Sequence, residues 1–82
     1  MNYHNFMESV GEEARAAART GLQTLTAREA EVLRRIVSAK SSRETAEELG
    51  ISPRTVEVHR SRVMRKMGAR NVADLVRIVA QL

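Results

Sequence analysis

A chain of 82 residues holds one domain with a small core, near the size at which a single core becomes marginal. Without cysteine it has no disulfide framework and no thiolate metal site; with one Phe, one Tyr and no Trp, its core must come from Leu, Val, Ile, Met and Ala, which suits packed helices. The net charge of +4 is unevenly spread, since residues 1–24 carry −1, residues 25–51 zero and residues 52–82 a surplus of +5, which points to nucleic acid or an anionic membrane surface.

The opening MNYHNFMESV has neither the basic start nor the apolar run of a secretory signal, and no stretch approaches membrane-spanning length, so a cytoplasmic protein is expected. Phe6, Val10, Ala14 and Ala17 recur at helical spacing, and EEARAAAR favours helix. Two of those four residues are alanine, however, and TGLQT reads as a break. Residues 1–24 are therefore expected to form a loosely held helical or flexible arm ahead of a domain over 25–82.

LTAREAEVLRRIVSAK opens with Thr26 and, three residues on, Glu29, the spacing of a capping box. Ala30, Leu33, Ile36 and Val37 follow at helical spacing, which predicts a helix over about 27–38 with those residues inward. SSRETAEELG predicts a shorter helix capped by Ser41 or Ser42, with Thr45, Ala46 and Leu49 on a narrow apolar face and Gly50 as its stop. Ser52 and Pro53 then start a third helix after a very short connection, with Pro53 where its missing N–H costs nothing. Two helices joined that tightly cross steeply, as in a helix-turn-helix.

The third helix runs from Pro53 to about Met67, ahead of Gly68. Val56, Val63 and Met67 share one narrow face with His59 on its flank, while Arg54, Glu57, Val58, Ser61, Arg62 and Arg65 spread over the other side. Arg60 falls close to the apolar stripe and fits neither group. Asn71 caps a last helix over about 71–82. Val72, Leu75, Val76 and Val79 make one stripe there, and Ile78 and Leu82 a second. A terminal helix needs only one stripe, so the excess points to self-association.

One short helix carrying five cations and only Glu57 as an anion is more than a solvated surface helix needs. A major groove accepts one such helix; Arg can grip guanine with two hydrogen bonds, Glu57 can accept from the cytosine amino group, and Val58 can pack on a thymine methyl. A binder indifferent to sequence would gain nothing from Glu57, whose charge repels phosphate. Enzyme readings find no support: the chain has no nucleophile–base pairing, no Gly-rich phosphate loop and no metal-ligand spacing, and His4 and His59 are far apart. No cofactor and no metal are expected.

LTAREAEVL, ETAEELGIS, SPRTVEVHRSRVMRKM and ADLVRIV, in that order and spacing over residues 24–82, resemble the LuxR/GerE-type helix-turn-helix family, in particular the DNA-binding output domains of the FixJ- and NarL-like response regulators. The resemblance implies an all-α, four-helix domain with a helix-turn-helix at about 42–62 and a dimerisation helix at about 71–82. It places Glu57, Val58 and Ser61 at base-reading positions with Arg62 nearby. Lys40, Ser42, Arg43, Arg54, Thr55, Arg65 and Lys66 fall at places suited to DNA phosphates, and Leu75, Ile78, Val79 and Leu82 at the dimer interface.

The expected partners are double-stranded DNA and a second copy of the chain, with no membrane; the family also permits a contact between Glu44, Glu47, Glu48 and RNA polymerase. The chain departs from the family in having Ala39 where Gly is frequent and Ser42-Arg43-Glu44-Thr45 where Asn-Lys-Glu-Ile is frequent. Family members usually carry a receiver or ligand-binding domain ahead of this module, and 24 residues cannot form one. The alternative is a protein-interaction module, similar to region 4 of a sigma factor, that binds RNA polymerase or another regulator with only weak DNA affinity.

Overall fold

The structure is a computed structural model that describes residues 3–82, the side chain of His4 excepted; the reading of His4 as no part of a metal site lies outside that description. Five helices follow one another: α1 (Tyr3–Gln23), α2 (Ala27–Val37), α3 (Ser42–Leu49), α4 (Pro53–Met67) and α5 (Val72–Ala80). The described residues contain no strand, and the fold is all-α.

Local capping chemistry sets these limits. The Thr26 side chain accepts from the Glu29 N–H while Glu29 accepts from the Thr26 N–H, and Ser41 and Glu44 repeat the same reciprocal pair at the start of α3. Each such cap contributes about 1 kcal/mol. Ser41, rather than Ser42, is thus the cap of α3. Ser52 and Asn71 cap α4 and α5. Gly50 and Gly68, at φ of 68° and 69°, end α3 and α4 in the left-handed conformation that side chains disfavour.

The core is a cluster of Ala18, Val32, Leu33, Ile36, Val63, Met67 and Leu75. α2 packs against both α4 and α5, which widens its inward arc. That arc takes in Val32, which the sequence pattern did not single out, and leaves Ala30 and Val37 only half-buried. Thr45 and Ala46 are buried where α3 meets α4.

The N-terminal segment is helical, one of the two forms its composition suggests, and it is held against the domain only toward its C-terminal end. α1 runs without a break through Thr20 to Gln23, and its C-terminal half docks on α4 and α5. Ala18 lies in the core. Gly21 meets α4 so closely that a Cβ there would stand 2.0 Å from the Lys66 carbonyl oxygen. The break read in TGLQT falls at Thr24, where α1 has ended, and Gly21 ahead of it is a point of contact.

The last helix also divides differently from expectation. Leu75 is 0% exposed and belongs to the core, so it is no part of an outward dimer face. Ile78 and Val79 are half-buried against the same core. Val72, Val76 and Leu82 are the exposed apolar residues of this end of the chain. A helix of nine residues with apolar groups on several sides buries whichever arc faces α2 and α4.

Candidate nucleic-acid interface

α4 is fixed by its buried stripe of Val56, Val63 and Met67, and this fixes what it presents. Arg54, Thr55, Glu57, Val58, Ser61, Arg62 and Arg65 all stand exposed on the opposite side. Among the described residues, Arg54, Arg62 and Arg65 have no ion-pair partner, so their charge faces outward uncompensated. Ser52 accepts from the Thr55 N–H at 3.0 Å and shares a hydrogen bond with the Thr55 hydroxyl at 2.9 Å, which holds Thr55 at the exposed start of the helix.

Glu57 is positioned from two sides. The Ser42 hydroxyl, at the start of α3, donates to its carboxylate, and Arg60 Nε stands 3.6 Å from the same oxygen. Two residues expected to meet different parts of DNA are therefore bonded to each other. Arg60, which the periodicity left unplaced, keeps a largely covered stem and turns its head toward Glu57. His59 lies half-buried at the core edge, with Nδ1 buried and unbonded.

Several cations expected at phosphates have other partners. Lys66 Nζ donates to Glu29 Oε1 at 2.7 Å and to the Thr24 carbonyl at 3.0 Å, so it ties the end of α4 to the α1–α2 junction. Those hydrogen bonds, Lys66 first and the Thr26 N–H second, hold the Glu29 carboxyl below its ordinary range against the opposing effect of burial. Lys66 is thus a structural clamp. Lys40 and Arg35 both grip Glu48, at 3.0 and 2.9 Å, which lowers the Glu48 carboxyl and raises the Lys40 ammonium. Arg43 sits 3.7 Å from Glu47 with both side chains mostly in water, a pairing too weak to withhold it from DNA.

The acidic cluster is equally committed. Glu44 serves the α3 cap, Glu48 holds two cations and Glu47 faces Arg43. Among the described residues, no group of three or more His, Asp and Glu side chains could hold a metal, and no helix is long and apolar enough to cross a membrane. Sequence reading missed the Ser42–Glu57 bond, and its only local trace was a hydroxyl at the cap of α3 and another at its first position.

A short helix set against a longer one with an outward basic face, joined through Gly50–Ser52, defines a helix-turn-helix module of the DNA-binding class. Residues 23–79 match GerE, the bacterial regulatory proteins of the luxR family, and the chain belongs to that family. It is a DNA-binding domain of the transcription-regulator type, and the family is not one of enzymes. The chain is 58% identical over 50 residues to the C4-dicarboxylate transport transcriptional regulatory protein DctR of Rhodobacter capsulatus, covering 61% of this chain and 25% of that one. It is 50% identical over 60 residues to the transcriptional regulatory protein FixJ of Rhizobium meliloti, covering 73% and 29%. The crystal structure of full-length FixJ from B. japonicum superposes with a TM-score of 0.72 at 34% identity, over 87% of this chain and 36% of that one. The chain therefore spans about a quarter to a third of the length of these relatives.

Proposed function

We propose that the chain recognises a specific double-stranded DNA sequence, laying α4 in the major groove, and acts as a dimer on a two-fold repeated site in the cytoplasm. The observation that carries this reading is the composition of the exposed face of α4. Arg54, Arg62 and Arg65 are unpaired among the described residues and surround the less basic Glu57, Val58 and Ser61. The cations, with Arg43 and the N-terminal hydroxyl of Thr55, neutralise and grip phosphates and so set register. Glu57 then accepts from a cytosine amino group, Val58 covers a thymine methyl, and Arg62 reaches a guanine edge or a phosphate.

Ser42 adds preorganisation. A carboxylate already held by the neighbouring helix need not be ordered on binding, which reduces the entropic cost of using it. The exposed Val72, Val76 and Leu82 supply an apolar surface through which two copies could meet.

The test is selection of bound duplexes from a random-sequence pool at physiological salt, followed by sequencing. A recovered motif with two-fold symmetry supports both specific reading and dimeric geometry. Recovery with no motif would reject sequence-specific reading and favour a module whose site is chosen by a partner protein.

A further inference from the structure

α1 is longer than its docking site. The helix spans roughly 30 Å at 1.5 Å per residue, and the molecule measures 51 Å along its longest axis against 21 and 16 Å across. Only its C-terminal half carries buried residues, Ala18 and Gly21. On the N-terminal half, Tyr3, Phe6, Met7 and Val10 are all exposed, Tyr3 at 77%.

Tyr3, Met7 and Val10 follow a seven-residue repeat, with Phe6 beside them. Ala14, Ala17 and Gly21 continue its alternating steps of four and three, the spacing of a coiled-coil seam, into the end of α1 where Gly21 rests on α4. The charges keep clear of the seam. Glu12 binds Arg15 at 3.0 Å and Arg19 at 2.8 Å, and all three fall at outer positions of the repeat. Those contacts also hold the Glu12 carboxyl below its ordinary value, Arg19 being the larger cause.

Gly11 is the second observation. Glycine inside a helix weakens it relative to alanine, so it needs a reason. Gly21 has one, in its contact with the Lys66 carbonyl. Gly11 has none within its own chain, because the nearest atom to an added Cβ is the guanidinium of Arg15 at 3.4 Å, an ordinary contact. In a parallel pair of α1 helices Gly11 flanks the seam beside the position that Phe6 of a second copy takes, and a glycine there makes room for the ring.

We infer that the N-terminal half of α1 pairs in parallel, in register, with α1 of a second copy of this chain. The four side chains offer about 400 Å² per copy, judged from the area that such residues cover, or about 800 Å² for the pair, short of the roughly 1,200 Å² of a stable stand-alone interface. The pairing is accordingly weak and reversible in free solution. It becomes effective when another contact already holds two copies side by side and raises their effective concentration.

The chain has no cysteine, so single substitutions report directly. In the full chain without DNA, Met7→Cys and Val10→Cys should cross-link on mild oxidation about tenfold faster than Ser9→Cys on the outer side of the repeat. Sedimentation should show the mean mass of the parent chain rising with concentration. Val10→Glu should reduce that rise with helix content unchanged, whereas Ser9→Glu, on the outer side of the repeat, should not. Equal cross-linking at Ser9, or a monomer at every concentration, would overturn the inference and leave the face for a different partner. Because DNA is absent, neither result depends on whether α4 reads a sequence.

Discussion

Lys66→Met separates two roles for one lysine. In the structure its ammonium holds Glu29 at 2.7 Å and the Thr24 carbonyl at 3.0 Å, and the Glu29 side chain is only 2% exposed. Methionine keeps most of the packing of the stem but leaves the carboxylate with the Thr26 N–H as its one remaining donor. Loss of a hydrogen bond between charged groups costs about 1.5–3 kcal/mol. The 3–5 kcal/mol typical of a broken buried pair is an upper bound here, because Lys66 is a quarter exposed and water can enter where it stood. A cost of about 2 kcal/mol should lower Tm by about 8–16 °C in a domain of this size. The check is thermal unfolding followed by circular dichroism, with Glu29→Gln and the double variant closing a cycle that measures the coupling. DNA affinity as a function of salt is measured alongside. A clamp predicts a large loss of Tm and an unchanged salt slope. An unchanged Tm with a slope smaller by about one would show that Lys66 is a phosphate contact after all and would refute the reasoning.

Ala39 holds φ of 63°, where a side chain costs about 1–2 kcal/mol; set against the extra freedom of an unfolded glycine, Ala39→Gly should stabilise the domain by about 0.5–1 kcal/mol, and a lower urea midpoint would contradict this. Asp74 accepts from the Arg70 N–H and from Arg77, which depress its pKa from 3.8 to about 2. A carboxyl depressed in the folded state contributes stability above its unfolded value that disappears as pH falls through the folded one. Urea midpoints should therefore drop between about pH 4 and 2, and Asp74→Asn should flatten that drop; equal drops would dismiss Asp74 as a source. Leu75→Ala should cost about 2–5 kcal/mol because it empties the core, whereas Val76→Glu should leave Tm nearly unchanged and reduce cooperative DNA binding. A folded Leu75→Ala with undiminished stability would contradict the placement of Leu75. Ser42→Ala should relax base preference only at the pair that Glu57 is proposed to read, as scored by binding to single-base variants of a selected site; uniform weakening would instead make Ser42 a phosphate contact.

The helix limits were legible because capping is local. Thr26 with Glu29, Ser52 before Pro53, Gly50 and Gly68 each act within a few residues, and each marks a boundary where the sequence predicts one. The buried stripe of α4 was legible for a similar reason, since one long helix with charges on one side has few ways to dock. Partners distant in sequence were not legible. Lys66 meets Glu29 across 37 positions, and nothing in RVMRKMG separates a lysine that turns back to α2 from one that faces outward. Leu75 and Val76 are adjacent apolar residues on a short helix, and only the placement of α2 decides which one is buried. Gly21 was not legible either. TGLQT reads as a break, and α1 does end there at Gln23, but the use of its glycine as a close-contact residue depends on the approach of the α4 backbone.

The two ends of α4 are held by different means. At its C-terminal end, Gly21 rests on the Lys66 carbonyl, the Lys66 side chain reaches Thr24 and Glu29, and Met67 lies in the core. Three separate elements thus converge on two residues, and a shift of any one of them strains the others. At the N-terminal end, Val56 is buried, but the outward side is tied to the rest of the domain chiefly by Ser42 and Glu57, in water. An exposed hydrogen bond contributes little to stability, so the exposed side chains at this end can change without endangering the fold. Substitutions along α4 should accordingly divide by position. Those near Lys66 and Met67 should alter stability and the attachment of α1, while those at the exposed Arg54, Glu57, Val58, Ser61 and Arg62 should leave stability nearly constant. On the proposed reading, the exposed residues that would meet DNA bases are thus not the ones that hold the helix in place.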